Sequence, residues 1–468
     1  MSFLYEKVAS EIGRAIDRGV YPPGSRLPSI RSTRKRFGVS VATVLEAFAR
    51  LETKGLVEVR PKSGHFVKSG LDTTSLPRTS RPSTRPAMVS IVDIAMEVLS
   101  NSNLARVPLG SSVPQASTFP LDTLARLHAR AARVHRKRAG EYEDPMGSAA
   151  LRGAIAKLTS DSGAMIEPAH IVITNGAQEA LNLGLRAVTS AGDVVAVESP
   201  VYFGVLQAIE ALGLRVLELP THPTHGVDID ALEKAAKSKS ISACVLCPCY
   251  QNPLGFNMSD DNKQAAVSLL NRYRIPLIED DVFGALGLEN PRPVVARSFD
   301  RSDNVLLCSS FSKTIAPGLR LGWIAPGKHL KEVIRQKFLA NLSTGIIAQQ
   351  AMVEFLDGNR FRRTTQAAAG IYANRLRRMR ESVLDSFPPG TACTSPKGGF
   401  FLWVELPARY DSLELFQLAA QKGISLSPGR LFSRGNSYKN CIRLSCGKIE
   451  EERIDAAIRG LANVVHKC

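Results

Sequence analysis

From about residue 130 onward, short apolar runs alternate with longer amphipathic stretches. IVIT, VVAVES, RVLELP, ACVLCP, PLIED, NVLLCSS and LGWIAP are separated by segments such as QEALNLGLRAV and NKQAAVSLLNRY. The alternation predicts a mostly parallel sheet covered by helices on both faces, an α/β architecture. The last hundred or so residues break the pattern: GGFFLWVELP, ISLSPG and CIRLSCG lie beside amphipathic helices. They predict a smaller α+β part, with the large part at about 130–345 and the small part at about 346–468 together with the N-terminal arm.

The first 69 residues belong to a different module. Leu4, Val8, Ile12 and Ile16 share one helical face, and the turn VYPPGSR ends that helix. LPSIRSTRKRFG predicts a short helix capped by Ser29 and closed by Gly38. Ser40 is placed to cap VATVLEAFARLETKG, whose Val44, Leu45, Phe48 and Leu51 recur at helical spacing before Gly55. LVEVR, the turn PKSG and HFVK then predict two short strands around a basic tip. Three helices followed by such a hairpin form the plan of a winged helix-turn-helix, which presents the start of its last helix to the major groove.

Charge agrees with that division. The chain carries a net +17, and its first 90 residues hold 16 Lys/Arg against 7 Asp/Glu, a net of +9. A basic end module suits a polyanion. Residues 70–90, GLDTTSLPRTSRPSTRPAMVS, are rich in Ser, Thr, Pro and Arg, lack apolar periodicity, and are expected to be a flexible linker to a body at 91–468. No apolar run reaches the roughly 18 residues needed to span a bilayer, and no charged-then-apolar leader follows Met1, so a cytoplasmic protein without membrane partners is expected. Eight scattered cysteines fit a reducing compartment. Cys244, Cys247 and Cys249 lie in ISACVLCPCY without a second Cys/His cluster at ligand spacing; they are expected to be buried strand cysteines, with no metal site.

The string GSRLPSIRSTRKRFGVSVATVLEAFARLETKGLVEVRPKSGHFV resembles the GntR family of bacterial regulators. The resemblance implies that Arg26, Arg31, Ser40 and Thr43 face DNA and that the wing adds Arg60, Lys62 and the tight-turn Gly64. Basic groups there would neutralise phosphates, and short polar side chains at the helix start would touch bases. The family often has a basic residue after the serine of its Val-Ser pair; Val41 stands there instead. A small helical module that binds protein is the alternative.

The chemistry of the body centres on SSFSKTIAPGLRLGW. The amine of Lys313 is suited to a Schiff base with an aldehyde cofactor, while Ser310, Ser312 and Arg320 are suited to an adjacent phosphate. Pyridoxal 5′-phosphate (PLP) combines an aldehyde, a phosphate and a ring nitrogen that calls for a carboxylate. In TNGAQEAL, Gly176, Ala177 and Gln178 stand where a strand passes into a helix, a place for phosphate on free backbone amides. Taken in order, NPLG, EDD, SFSK and RLS resemble fold-type I aminotransferases, whose aminotransferase class I/II frame covers the body. The resemblance implies that Tyr202 stacks on the cofactor ring, Asn252 donates to its phenolic oxygen, Asp280 holds its nitrogen and Arg443 grips a ligand carboxylate. It also implies that Tyr142, in EYEDPMG, reaches the phosphate of a partner subunit. Those enzymes usually place a tyrosine two or three residues after the ring aspartate; this chain has Val282 and Phe283.

A GntR-like winged helix, a linker and an aminotransferase-like body together resemble the MocR subfamily of bacterial regulators. The implied protein is a cytoplasmic homodimer that binds double-stranded operator DNA and senses an amino compound or PLP itself. A working aminotransferase with a DNA-binding appendage remains the alternative, as does a regulator whose pocket takes another ligand.

Overall fold

In the computed structural model, the described residues are 4–17, 20–21, 25–53, 56–60, 64–67, 76–288, 292–435 and 437–468. The chain forms two compact units, Met1–Leu76 and Pro77–Cys468.

The first unit contains α1 (Leu4–Asp17), α2 (Ile30–Phe37) and α3 (Val41–Thr53), then the antiparallel hairpin β1 (Val57–Arg60) and β2 (Gly64–Val67). Ser29 accepts from the Ser32 amide at 3.2 Å, and Gly38 closes α2 at φ +65°, a conformation glycine adopts without strain. Ser40 accepts from the Thr43 amide at 3.1 Å. The core joins Val8, Ile12, Leu27, Val44, Phe48, Leu51, Val57 and Val67. Leu45, assigned to the apolar face by spacing, is exposed instead. The face is narrow: Val44, Ala47, Phe48 and Leu51 already fill it, and position 45 turns past its edge. Leu4 is likewise exposed at the start of α1. The stretch before α2 joins the wing, with the Leu27 amide donating to His65 and the Val67 amide to Ser25, both at 2.9 Å.

The first strand of the second unit is β3 (Val107–Pro108), after the helix Val92–Leu104. The unit continues through β4 (Val172–Thr174), β5 (Val194–Ser199), β6 (Arg215–His222), β7 (Gly226–Val227), β8 (Ala243–Leu246), β9 (Leu277–Asp280), β10 (Val305–Ser310) and β11 (Gly322–Ala325). An eight-stranded sheet has the order β4-β11-β10-β9-β8-β5-β6-β7. The run from β10 to β6 is parallel, and β4, β11 and β7 join antiparallel. Each of the seven apolar runs seen in the sequence contributes a strand. Val195, Val197, Val245 and Ile278 enter one core, and Ala196, Cys244, Leu246 and Leu277 the core on the other face. Burial on both faces explains why these strands are apolar at successive positions.

The smaller part carries β12 (Ala392–Cys393), β13 (Phe401–Glu405), β14 (Ile424–Ser425), β15 (Ser427–Pro428) and β16 (Cys441–Ser445). Four of these form a sheet in the order β12-β13-β16-β15, and β14 pairs in parallel with β3 of the N-terminal arm. Trp403, Phe400, Phe432 and Tyr372 fill its core.

Residues 70–90, expected to be a flexible linker throughout, divide differently. Residues 77–90 lie on the second unit. The Arg78 amide donates to Glu405 at 2.9 Å, the Thr221 amide to Ser80 Oγ at 2.8 Å, and Ala87 bridges Val216. The outer edge of β6 meets β7 only at Thr221 and His222, which leaves backbone groups to be satisfied; Ala87 and Val216 exchange amide bonds at 3.1 and 2.8 Å there. A Pro- and Ser-rich strip can cover such an edge as readily as it can serve as a tether.

Candidate functional site

The carboxyl ends of the parallel strands face a cavity of about 130 Å³. Crevices beyond such strand ends are where open α/β sheets bind ligands. Asp280 closes β9, Ser310 closes β10, and Lys313 follows in the tight turn after it. Tyr202 comes three residues after β5, and Asn252 lies in the loop after β8. The cavity is lined by Ala177, Gln178, Tyr202, Asn252, Asp280, Ser310, Ser312, Lys313 and Arg320, residues singled out in the sequence from widely separated segments. Phe283 lines it too, packed edge-on against Phe400 and Phe401.

Lys313 Nζ donates to the main-chain oxygen of Ser112 at 2.8 Å. Burial, with help from Arg443 and Arg320, lowers its pKa to about 8, so a neutral, nucleophilic amine is accessible near neutral pH. Burial raises Asp280 to about 7; the neighbouring Asp281 adds to the rise, while the Val282 amide and Lys313 oppose it. Desolvated in this way, Asp280 favours a cationic or proton-bearing partner. Burial also pushes Tyr202 up to about 12, which keeps its ring neutral.

Gly176 caps the helix Ala177–Val188 at φ +85°. A Cβ there would lie 2.8 Å from Nη2 of Arg320, and one on Gly322 would lie 2.6 Å from the Gly176 carbonyl carbon. The two glycines let the turn sit directly on β11 and against the guanidinium. Arg320 Nη2 donates to the Asn175 oxygen at 3.0 Å. The Gln178 side chain donates to the Gly204 oxygen at 2.7 Å, so at the cradle it is the backbone of this residue that remains for an anion. Ser309 Oγ donates to the Asp281 oxygen, tying β10 to the loop after β9.

Arg443 lies behind the cavity, 1% exposed, with its guanidinium 4.2 Å from the Phe401 ring centre. Nη1 donates to Asn252 Oδ1 at 3.1 Å; Nη2 donates to Gly110 O, Ser112 Oγ and Ser427 Oγ. Burial lowers its pKa to about 9, and Nε has no partner among the described residues. With its oxygen taken, Asn252 retains its NH₂ as the group able to donate into the site.

Ser112 was not picked out from the sequence, yet it contacts both Lys313 and Arg443. Its loop lies about 200 residues before Lys313, and nothing in GSSVP marks it. Tyr142 is 84% exposed and does not line the cavity. Among the DNA-facing candidates, Arg26, Arg31 and Ser40 are exposed; Thr43 is half-buried and shares a 2.8 Å hydroxyl contact with Ser40. Gly64 opens β2 at φ +106°, where glycine is favoured. Gly55, Lys62 and the side chain of Arg60 lie outside the described residues. Cys244 is buried in β8, and Cys247 and Cys249 are buried just beyond it.

Comparison with known proteins divides the chain the same way. The model of the aminotransferase class I and II family matches residues 107–461, and that of the bacterial regulatory proteins, gntR family, matches residues 4–67. The uncharacterized HTH-type transcriptional regulators YjiR and YdcR of Escherichia coli are 36% and 37% identical to it, each over 99% of both chains. Among solved structures, the α-aminoadipate aminotransferase LysN of Thermus thermophilus, complexed with N-(5'-phosphopyridoxyl)-L-leucine, matches with a TM-score of 0.74 and 26% identity. That match covers 80% of this chain and 94% of that one.

Proposed function

The chain belongs to the MocR type of gntR-family regulators, in which a winged helix is joined to an aminotransferase class I and II body, and from this we propose a PLP-dependent transcriptional regulator that senses an amino compound or PLP itself. The observation that carries the reading is one cavity uniting Lys313, Asp280 and Arg320, in a chain that also holds a helix-turn-helix. The donors fit the cofactor: an amine for its aldehyde, a buried carboxylate for its ring nitrogen, and a guanidinium with two hydroxyls beside a helix start for its phosphate. Bound there, PLP supplies an aldehyde that captures amines and a ring that draws electrons from them.

The remaining work falls to the chain's own groups. Lys313, with its lowered pKa, offers the amine and can move a proton. Asp280 would hold the ring nitrogen and its proton, Tyr202 would lie against the ring, and Asn252 would donate to the phenolic oxygen. Arg443 anchors a carboxylate-bearing ligand once its contacts to Ser112 and Gly110 give way. Exposed Tyr142 suits a second copy of the chain, and a twofold dimer would read paired half-sites. Arg26, Arg31, Ser40, Thr43, Arg60, Lys62 and Gly64 would form the DNA face.

An aminotransferase reading is favoured by the retained Lys313 and Asp280. Against efficient turnover stands Phe283, which offers the phenolic oxygen no hydroxyl. Titration of the purified protein with PLP tests the cofactor reading. A visible absorption band should appear in the wild type and be lost in Lys313→Ala; an unchanged wild-type spectrum would refute it.

A further inference from the structure

Behind the turn that carries Gly176 lies a buried ion pair that the cofactor reading does not use. Lys337, on the helix Leu330–Asn341, is 0% exposed. Its Nζ donates to Glu179 Oε1 at 2.8 Å and to Thr344 Oγ1 at 2.9 Å. Asn341 Nδ2 donates to the same carboxylate oxygen at 2.6 Å. The other oxygen of Glu179 accepts from the Asn175 amide, and the Asn175 carbonyl in turn accepts from Arg320 Nη2 at 3.0 Å. Lys337, Glu179, Asn175 and Arg320 thus form one chain of contacts ending at the guanidinium beside the cavity.

The position of Glu179 makes the pair informative. It lies in the first turn of the helix Ala177–Val188, the end whose dipole and free amides favour an anion. A carboxylate loose in that turn would compete with a phosphate for the same amides and repel it. Held by Lys337 and Asn341 on one oxygen and by the Asn175 amide on the other, its charge is balanced and both oxygens are engaged, while it fixes Asn175.

We propose that Lys337 is a positioning residue for the cofactor phosphate: it neutralises and orients Glu179, so that Glu179 braces the Asn175–Arg320 contact without opposing the anion. The inference rests on the PLP reading above. It touches no group that bonds the aldehyde, so its effect must follow the phosphate.

The test titrates the full-length protein with PLP and with pyridoxal, which has the aldehyde and ring but no phosphate. Lys337→Met should weaken PLP binding about tenfold and leave pyridoxal binding unchanged. Adding Glu179→Gln to it should restore most of the loss, because no unbalanced charge remains. Glu179→Gln alone loses part of the brace on Asn175 but also the charge that would oppose the anion. It should therefore weaken PLP binding by no more than about threefold with pyridoxal binding unchanged, which keeps the test decisive if Lys337→Met folds poorly. Equal losses for both ligands, no loss of PLP affinity in Lys337→Met, or a loss in Glu179→Gln of about tenfold or more would overturn the proposal. A wild type that binds neither ligand would instead remove the cofactor reading beneath it.

Discussion

Lys313 donates from Nζ to the main-chain oxygen of Ser112 at 2.8 Å. The hydroxyl of the same serine takes Nη2 of Arg443 at 2.8 Å. One loop residue therefore engages both the amine proposed to hold the cofactor and the guanidinium proposed to hold a ligand carboxylate. A ligand that uses either group must release it from Ser112, which links occupation of the cavity to the position of the loop. Differential contacts of this kind are what allow a ligand to shift a conformational balance.

Arg443→Lys should separate the two roles. Lysine keeps a charge but loses the planar fork that bonds Asn252 and Ser112 together. Binding of amino acids by the PLP-loaded protein should weaken about 10- to 100-fold, the range of a lost charge-assisted contact, while amines lacking the carboxylate change little. Spectral titration with a paired amino acid and its decarboxylated amine checks this; equal losses for the two would place the carboxylate elsewhere.

Asp280 sets stability against cofactor binding. Its pKa without the cofactor is raised to about 7, chiefly by burial. A group raised on folding contributes its stability in full below its unfolded pKa and loses it as pH climbs through the folded value. The cofactor-free protein should therefore lose stability between about pH 4 and 7 on this residue's account. Asp280→Asn should raise the cofactor-free melting point at pH 8 by roughly 2 °C while weakening PLP retention. Calorimetry at pH 5 and pH 8 checks the sign: the advantage of the variant should shrink at the lower pH.

On the DNA side, Arg31 is exposed at the start of α2. Arg31→Ala should weaken binding to all duplexes alike and reduce the salt dependence by about one unit of slope, the signature of one lost phosphate contact. Thr43→Ala removes the hydroxyl shared with Ser40 and should alter preference among duplexes. Affinities measured over a salt series with several duplexes distinguish the two behaviours.

The strip 77–90 gives a prediction about the boundary. Ser80, Ala87 and Arg78 satisfy groups on β6 and Glu405. A fragment beginning at residue 77 should melt several degrees above one beginning at 91, because the shorter fragment leaves the β6 edge and the Thr221 amide uncovered. Equal melting points would make the docking incidental.

Much of this architecture was legible in the sequence, and the parts that were not share a cause. Strands such as VVAVES and NVLLCSS announce themselves because burial on both faces demands continuous apolar residues. Lys313, Asp280 and Asn252 stand out because each residue type suits one part of an unusual cofactor. Ser112 gives no such signal: its role comes from a loop folding back on residues 201 and 331 positions away. Leu45 misled because its spacing fits a helix face that smaller neighbours already fill. Residues 77–90 misled because a segment lacking apolar periodicity can still dock through its backbone. Local pattern reports local geometry, whereas contacts between distant segments depend on the assembled fold.

The central claim is that a ligand at the PLP cavity changes how the chain holds DNA. The most direct measurement is the affinity of the full-length, PLP-loaded protein for a duplex selected from a random pool, with and without a panel of amino acids and amines, alongside assay of keto-acid release. At least one amine, or PLP itself, should change the duplex affinity about fivefold or more in the wild type, with little keto acid formed, and should have no effect in Lys313→Ala. Rapid multiple turnover, with duplex affinity indifferent to every amine and to PLP, would contradict the account and identify the chain as an enzyme that carries a DNA-binding module.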